Sequence, residues 1–207
     1  MARQKRLVIP ELAQHVTQRG NARCVIFSTV EDRRLYLRRV VWFANFYRIR
    51  VLAYVLMDNH VHFVLIVPSQ TALSKFMQDL QSEHARRMNE TYGRTGHLFG
   101  ERFFSASVDD DAALDVIRYV ELNSVRAGMV ARAEDFEFSS ARAHVLNTWD
   151  PVVGEPWSPL TEIVDYRGWL AQLAPAEEEH YEVIRKQTRR GRRIRRDDLF
   201  GPGDRAD

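Results

Sequence analysis

The feature that most constrains the fold is a pair of strand-like runs that are neighbours in the sequence. IRVLAYVLM (49–57) and HVHFVLIV (60–67) are both rich in β-branched and large apolar residues. Only Asp58 and Asn59 separate them, and this dipeptide favours a tight turn between antiparallel strands. The two runs therefore predict a β-hairpin whose apolar side chains are buried in a sheet.

The segments around this hairpin alternate between strand-like and helix-like patterns. Apolar residues recur at three- and four-residue spacing over 71–92, which is the clearest helical pattern in the chain. Three consecutive aspartates, Asp109–Asp111, supply an N-cap and favourable charge for another helix. The predicted elements, in chain order, are strand 13–18, helix 31–47, strands 49–57 and 60–67, helix 71–92, strand 101–108, helix 112–124 and a short helix near 139–146.

The order β-α-β-β-α-β-α predicts an α+β fold of the ferredoxin-like (split βαβ) type, an antiparallel sheet of four or five strands with helices on one or both faces. Beyond Asn147 the chain becomes proline-rich and less periodic. We therefore expect a domain over 1–147 and a C-terminal extension over 148–207. The extension contains the basic segment RKQTRRGRRIRR (185–196), which is either a solvated tail or a contact for a polyanion.

The composition fits a reducing compartment and excludes several classes of protein. Its one cysteine, Cys24, excludes an internal disulfide framework and a multi-cysteine metal site. No apolar run reaches the length of a membrane span, and the basic N-terminus precedes no signal-peptide core. We expect a cytoplasmic protein without a membrane segment.

His60 and His62 interrupt the second strand of the hairpin. Residues two apart on a strand point to the same face, so both imidazoles lie side by side. A single histidine on an apolar strand is usually a core residue, whereas two neutral imidazoles can jointly hold a divalent cation. Two ligands are too few for a closed zinc site, so a metal there requires other ligands or open positions.

A second pair of chemically useful residues lies in the helix predicted over 112–124. Tyr119 and Asn123 are four residues apart and share a helix face. Tyr119 is a latent nucleophile, and the side-chain oxygen of Asn123 suits a hard cation. In the simpler interpretation, the tyrosine ring packs in the helix face and its hydroxyl reaches the surface. If Tyr119 is instead a nucleophile, the histidine pair predicts that it attacks a phosphate polarised by a bound metal. The products are a 5′-phosphotyrosine and a free 3′-hydroxyl.

Four segments resemble, in the same order, the REP-associated branch of the single-tyrosine HUH transposases, which are IS200/IS605-like. The resemblance spans residues 15 to about 145. The matching segments are HVTQRGN (15–21), LMDNHVHFVL (56–65), GRTGHLFGERF (93–103) and YVELNSVRAGMV (119–130).

This resemblance implies a role for each residue of the two pairs. Tyr119 is the expected nucleophile, His60 and His62 the expected metal ligands, and Asn123 the third ligand to Mg²⁺ or Mn²⁺. The implied activity is metal-dependent cleavage and rejoining of single-stranded DNA at REP-like hairpins, by a nucleoid-associated enzyme. A monomer is favoured, although related enzymes form dimers in which the tyrosine helix completes the site of the partner.

The resemblance also implies a set of DNA contacts. Arg126, just beyond the tyrosine helix, can meet either a phosphate or a carbonyl at the helix C-terminus. The full set of expected DNA-binding residues is Arg19, Asn21, Arg102, Arg126, Arg189, Arg190, Arg192 and Arg193.

The chain departs from the family pattern at two positions, where Asp58 and Ser124 replace proline. Asp58 still supports the turn. Without a proline after Asn123, we expect the helix to run slightly further and to aim Asn123 less firmly.

Two other functions remain open from the sequence. The chain can be a domesticated transposase that binds hairpin DNA as a regulator without cleaving it. Less favoured is a small metallohydrolase in which Tyr119 is structural and Asp58 or Glu121 joins the histidine pair.

Overall fold

A computed structural model of the chain describes residues 8–172 and 177–201. The strands are β1 (Ala13–Arg19), β2 (Arg50–Leu56), β3 (His60–Ile66) and β4 (Phe104–Val108). The helices are α1 (Val30–Tyr47), α2 (Gln70–Tyr92), α3 (Asp110–Glu121), α4 (Asn123–Arg126), α5 (Ala141–Leu146), α6 (Ser158–Thr161), α7 (Tyr166–Ala171), α8 (Glu177–Arg190) and α9 (Arg196–Phe200). Within these ranges, none of the helices combines the length and apolarity needed to cross a bilayer.

The four strands form one antiparallel sheet in the order β2-β3-β1-β4. The predicted ferredoxin-like α+β fold is therefore confirmed, with four strands in the described part of the chain. The register pairs Thr17 of β1 with His62 of β3. On its other side, Thr17 pairs with Phe104 of β4, so β1 is a central strand.

Helices cover both faces of the sheet. On one face lie α1 and α2, which pack against each other. There, Phe63 of β3 meets Phe76 of α2 edge to face, with the ring centroids 6.5 Å apart. The other face is covered by α3 and α8, and Tyr119 of α3 meets His62 on that side. Because β3 is buried on both faces, its run of apolar residues is nearly continuous.

The tyrosine helix ends earlier than the sequence predicts. It was expected to continue through Ser124, but α3 ends at Glu121, and the short α4 begins at Asn123. The side-chain amide of Asn123 donates hydrogen bonds to the carbonyl oxygens of Tyr119, at 2.7 Å, and Val120, at 3.2 Å. These carbonyls are the acceptors that a continuing helix would use, so the asparagine itself competes with the helix.

The basic segment 185–196 is folded onto the sheet, so it is not a solvated tail. Its first part belongs to α8, which packs against β4 and β1. Ile194 then bonds to the edge of β4, with its N–H donating to the carbonyl of Ser107 at 2.8 Å and its carbonyl accepting from Asp109 at 3.0 Å. The division of the chain at residue 147 stays a prediction.

A buried carboxylate ties the end of α3 to α5 and α7. Glu121 is fully buried, and its two oxygens have separate partners. Ser140 donates to one oxygen at 2.6 Å and Tyr166 to the other at 2.9 Å, while Nδ1 of His144 lies 2.6 Å from the first. A buried charge is tolerated only with such partners, so this cluster anchors the last turn of α3 to α5 and α7.

The ion pair in this cluster makes stability depend on pH. Burial by itself lowers the pKa of His144, but the Glu121 carboxylate outweighs burial and raises that pKa above its ordinary value. A pKa raised by folding adds stability that is fully present when the pH lies below the pKa of the histidine in the unfolded chain. This stability is lost as the pH rises through the pKa in the folded protein. We expect His144→Gln to cost about 1–3 kcal/mol near pH 6. The cost should shrink towards pH 9 in urea unfolding, and a cost that is constant with pH would contradict the charged pair.

Candidate active site

Three histidines lie together on the sheet face that α3 and α8 cover. Because β1 and β3 pair with Thr17 opposite His62, His15 lies on the same face as His60 and His62. The His60 and His62 ring centroids are 5.0 Å apart. His15 and His62 are stacked, with centroids 5.2 Å apart and planes inclined by 7°. The sheet thus groups three imidazoles where the sequence showed two.

The hydrogen bonds of His60 fix which of its ring nitrogens is free. Nδ1 of His60 lies 2.7 Å from Oδ1 of Asn59, while the amide nitrogen of Asn59 donates to the carbonyl of Arg23. A carbonyl only accepts, so Asn59 must present its oxygen to His60. Nδ1 of His60 therefore carries the hydrogen, which leaves Nε2 with a lone pair.

His62 belongs to a chain of three side chains. Its Nδ1 lies 3.0 Å from Nε2 of His15, and Nδ1 of His15 lies 2.7 Å from the hydroxyl of Thr188 on α8. All three residues are buried. Within the described residues, Nε2 of His62 makes no hydrogen bond, and His62 lines the cavity described below.

Burial keeps these imidazoles neutral. It lowers the pKa of His15 to about 3. Burial, with a further contribution from the positive charge of Arg19, lowers the pKa of His60 to about 4. The pKa of His62 lies well below its ordinary value, first because of burial and then because of the neighbouring histidines. Neutral imidazoles are the form that binds metals.

Tyr119 packs its ring against the histidine cluster. Its centroid lies 5.6 Å from that of His62 and 5.5 Å from that of His15, edge to face in both cases. On the other side it meets Tyr181 of α8, at 5.2 Å. All of these contacts come from one chain.

Arginines surround the Tyr119 hydroxyl. Burial raises the pKa of this hydroxyl above its ordinary value. The positive charges of Arg185, Arg126 and Arg189 act in the opposite direction on the same pKa, and Cζ of Arg126 lies 5.6 Å from the centroid of the Tyr119 ring. The tyrosine is therefore protonated at neutral pH, but cations are in place to stabilise a phenolate.

The residues predicted to carry the chemistry line one cavity of about 290 Å³. Its lining includes the three imidazoles, the phenol of Tyr119 and the side chain of Asn123. The amide nitrogen of Asn123 donates its hydrogen bonds to helix carbonyls, so its Oδ1 takes no part in those bonds. The predicted residues that line this cavity are His60, His62, Tyr119, Asn123, Arg19, Arg126 and Arg189.

Other predicted DNA contacts lie away from the cavity. The exposed residues Asn21, Arg102, Arg190 and Arg192 are not part of its lining. Arg193 is ion-paired with Asp109 at the start of α3.

Among the described residues, Arg126 shows no bond to a helix C-terminal carbonyl, and its contact with a phosphate stays a prediction. Its guanidinium bonds to Glu178 of α8 at 3.0 Å and lies over the ring of Tyr181, 4.3 Å from the centroid. Glu178 also bonds to Arg185. The residues next to Tyr119 are thus held by α8.

Sequence reasoning missed four residues of this site: His15, Tyr181, Arg185 and Thr188. His15 was visible as the first residue of HVTQRGN, but its position depends on the pairing of β1 with β3. The other three lie on α8, and their position depends on how that helix folds back. Sequence alone carried no signal for that contact.

Neither carboxylate considered as a metal partner faces the cavity. Glu121 is bonded within its own buried cluster, and Asp58 is ion-paired with Arg33. Among the residues that the structure describes, no group of three or more His, Cys, Asp or Glu side chains is arranged to hold a metal ion.

Comparison with known families identifies the class of protein. Residues 9–123, more than half of the chain, match the family model described as "Transposase IS200 like". The chain therefore belongs to the IS200-like transposase family. No curated protein matches it.

Two solved structures are similar to the chain. One is a REP-associated tyrosine transposase bound to a REP hairpin, with a TM-score of 0.59, 17% identity, and coverage of 76% of this chain and 96% of that one. The other is a putative transposase from Deinococcus radiodurans R1, with a TM-score of 0.39, 19% identity, and coverage of 57% and 95%. The first shares the fold described above.

The arrangement of cations predicts how the Tyr119 hydroxyl titrates. In Arg185→Gln we expect the pKa of Tyr119 to rise further, because the variant removes a positive charge that opposes the effect of burial. Arg190→Gln removes an exposed charge of the same helix that does not line the cavity, and it should leave the pKa unchanged. NMR of ¹³Cζ-labelled tyrosine measures both. Equal pKa values in the two variants would contradict the electrostatic role of Arg185.

Proposed function

We propose that this transposase is a metal-dependent single-strand DNA endonuclease and strand transferase, which acts on hairpin DNA through a 5′-phosphotyrosine intermediate. The observation that carries the proposal is that Tyr119, His60 and His62 open onto one cavity. A nucleophile, two neutral imidazoles and nearby guanidinium groups suit the cleavage of a phosphodiester.

The free donor atoms fit a divalent cation with open coordination positions. Nε2 of His60, Nε2 of His62 and Oδ1 of Asn123 are not used in the hydrogen bonds described above. Imidazole and amide oxygen donors suit Mg²⁺ or Mn²⁺, and a substrate oxygen and water can complete the set. When bound, the cation would polarise the scissile phosphate and offset charge on its oxygens.

The protein side chains supply the covalent step. The Tyr119 hydroxyl loses its proton as its oxygen bonds to phosphorus, and the bond from phosphorus to the 3′-oxygen breaks. The 3′-oxygen takes up a proton and leaves as a free hydroxyl, while the 5′-phosphate stays on the tyrosine. Arg126 and Arg185 stabilise the negative charge that develops on the phenol oxygen. The phosphotyrosine then transfers its phosphate to another 3′-hydroxyl or to water.

Hairpin DNA is the substrate that the comparisons support. The similar structure with a TM-score of 0.59 is of a protein bound to a REP hairpin. In this chain, Arg19 and Arg189 line the cavity and are exposed, so they can reach phosphates. The monomer expected from the resemblance to the REP-associated branch stays part of the proposal.

The two other functions are less well supported. The metallohydrolase considered from the sequence adds Glu121 or Asp58 to the histidine pair, and both carboxylates are bonded elsewhere. A regulator that binds hairpins without cleaving them does not require the tyrosine and the free imidazole nitrogens to meet in one cavity.

The covalent intermediate gives the first test. A hairpin oligonucleotide labelled on the 3′ side of the cleaved bond should become attached to the protein, which denaturing gel electrophoresis detects. Tyr119→Phe should abolish the adduct, and His60→Ala should slow its formation by about 10²-fold or more while DNA binding persists.

Tyr181→Phe is the matched control, because this ring packs beside the nucleophile. It should keep adduct formation close to the wild-type level. An adduct in Tyr119→Phe, or full activity in EDTA, would disprove the mechanism, while tight hairpin binding without cleavage would favour the regulator.

Variants of two arginines should differ in how strongly hairpin binding depends on salt. If Arg19 neutralises one phosphate, Arg19→Gln should reduce the slope of log K against log salt by about 0.7–0.9. Arg193→Gln should leave the slope unchanged, because Arg193 is paired with Asp109. Binding of a fluorescent hairpin at several salt concentrations measures both slopes. Equal slopes for the two variants would exclude a phosphate contact at Arg19.

A further inference from the structure

We propose that His15 and Thr188 are positioning residues that set the tautomer of His62. They form the chain Thr188–His15–His62, with a hydroxyl-to-ring distance of 2.7 Å and a ring-to-ring distance of 3.0 Å. Neither His15 nor Thr188 has a part in the mechanism above. The inference rests on the proposed function in one respect, that His62 uses Nε2 to hold a cation.

The two hydrogen bonds are coupled because each neutral ring carries one hydrogen. If His62 holds its hydrogen on Nδ1, it donates to Nε2 of His15, whose own hydrogen is then on Nδ1 and donates to Thr188. If His62 holds its hydrogen on Nε2, the direction of both bonds reverses, and Thr188 donates. A mixed arrangement places two hydrogens or two lone pairs face to face. Only the first arrangement gives Nε2 of His62 a lone pair to offer to a cation.

The surroundings of the cavity favour this first arrangement. Guanidinium groups of Arg19, Arg126 and Arg189 line the cavity that His62 faces. Nearby positive charges favour a lone pair over an N–H directed at them. His60 next to it already presents an Nε2 lone pair, because of its bond to Asn59. With its hydrogen on Nδ1, His62 presents the same Nε2 lone pair as His60.

Burial makes the chain hard to replace by solvent. His15 and Thr188 are each 1% exposed, so water has little access to either hydrogen bond. Thr188 also ties the arrangement to α8, which lies beyond the residues 9–123 that match the family model. The C-terminal helix thus helps to determine the protonation pattern of a ligand on the central sheet.

The experiment measures the His62 tautomer directly, without metal and without activity. Long-range ¹H–¹⁵N NMR of the ¹⁵N-labelled full chain distinguishes a hydrogen on Nδ1 from one on Nε2. Calorimetric titration with Mn²⁺ gives the metal affinity of the same samples. Two pairs of variants are compared: His15→Phe with His15→Gln, and Thr188→Val with Thr188→Ser. In each pair the second variant can still accept the hydrogen bond.

We expect the wild type to show His62 with its hydrogen on Nδ1. His15→Phe removes the acceptor, so this tautomer should be lost, and Mn²⁺ binding should weaken by about 10- to 100-fold. His15→Gln should keep the His62 tautomer and the Mn²⁺ affinity close to those of the wild type. Thr188→Val leaves the His15 N–H without an acceptor, so it should move part of the population to the other tautomer, whereas Thr188→Ser should not.

A wild-type His62 with its hydrogen on Nε2 would overturn the proposal. So would an unchanged tautomer in Thr188→Val, a comparison that stands even if His15→Phe fails to fold. If the variants shift the tautomer as expected but wild type and His60→Ala bind Mn²⁺ equally poorly, the positioning role stands. In that case it is the proposed metal site that fails.

Discussion

The antiparallel pairing of β1 with β3 is the interaction on which the site depends. Its register places Thr17 opposite His62, so that strand alternation brings His15, His60 and His62 onto one face. A slip by one residue would turn His15 to the opposite face of the sheet. It would also move apolar residues such as Val16 out of the core and onto the face where the imidazoles lie. The burial that holds the register therefore also assembles the three imidazoles and keeps them neutral.

A second constraint acts where α3 ends. Asn123 donates its side-chain amide to the carbonyls of the preceding turn, and Glu121 anchors that turn to α5 and α7 through a buried cluster. The consequence is that Tyr119 lies on the final turn of a short, anchored helix, with its ring against His62. A buried polar network can fix a position in this way, because breaking one of its hydrogen bonds leaves a buried group without its partner.

The C-terminal helix α8 completes the site, although it lies beyond the part that matches the family model. Tyr181 and Arg185 lie beside Tyr119, and Thr188 bonds to His15. The sequence presented this segment as a run of basic residues, for which charge alone left two interpretations. Packing decided between them, since Ile194 adds to the edge of β4 and the apolar face of α8 is buried against the sheet. Charge density by itself cannot show which residues of a segment face inward.

By itself, the sequence determined the hairpin, the order of strands and helices, and the candidate residues Tyr119, His60, His62 and Asn123. Those features follow from local periodicity, turn chemistry and side-chain type, which are written in neighbouring residues. Only the tertiary structure decided that His15 joins the imidazoles, that Glu121 faces away from them, and that α8 lies over Tyr119. Each of these depends on contacts between residues far apart in the chain, where strand register and helix docking, rather than local pattern, select the partners.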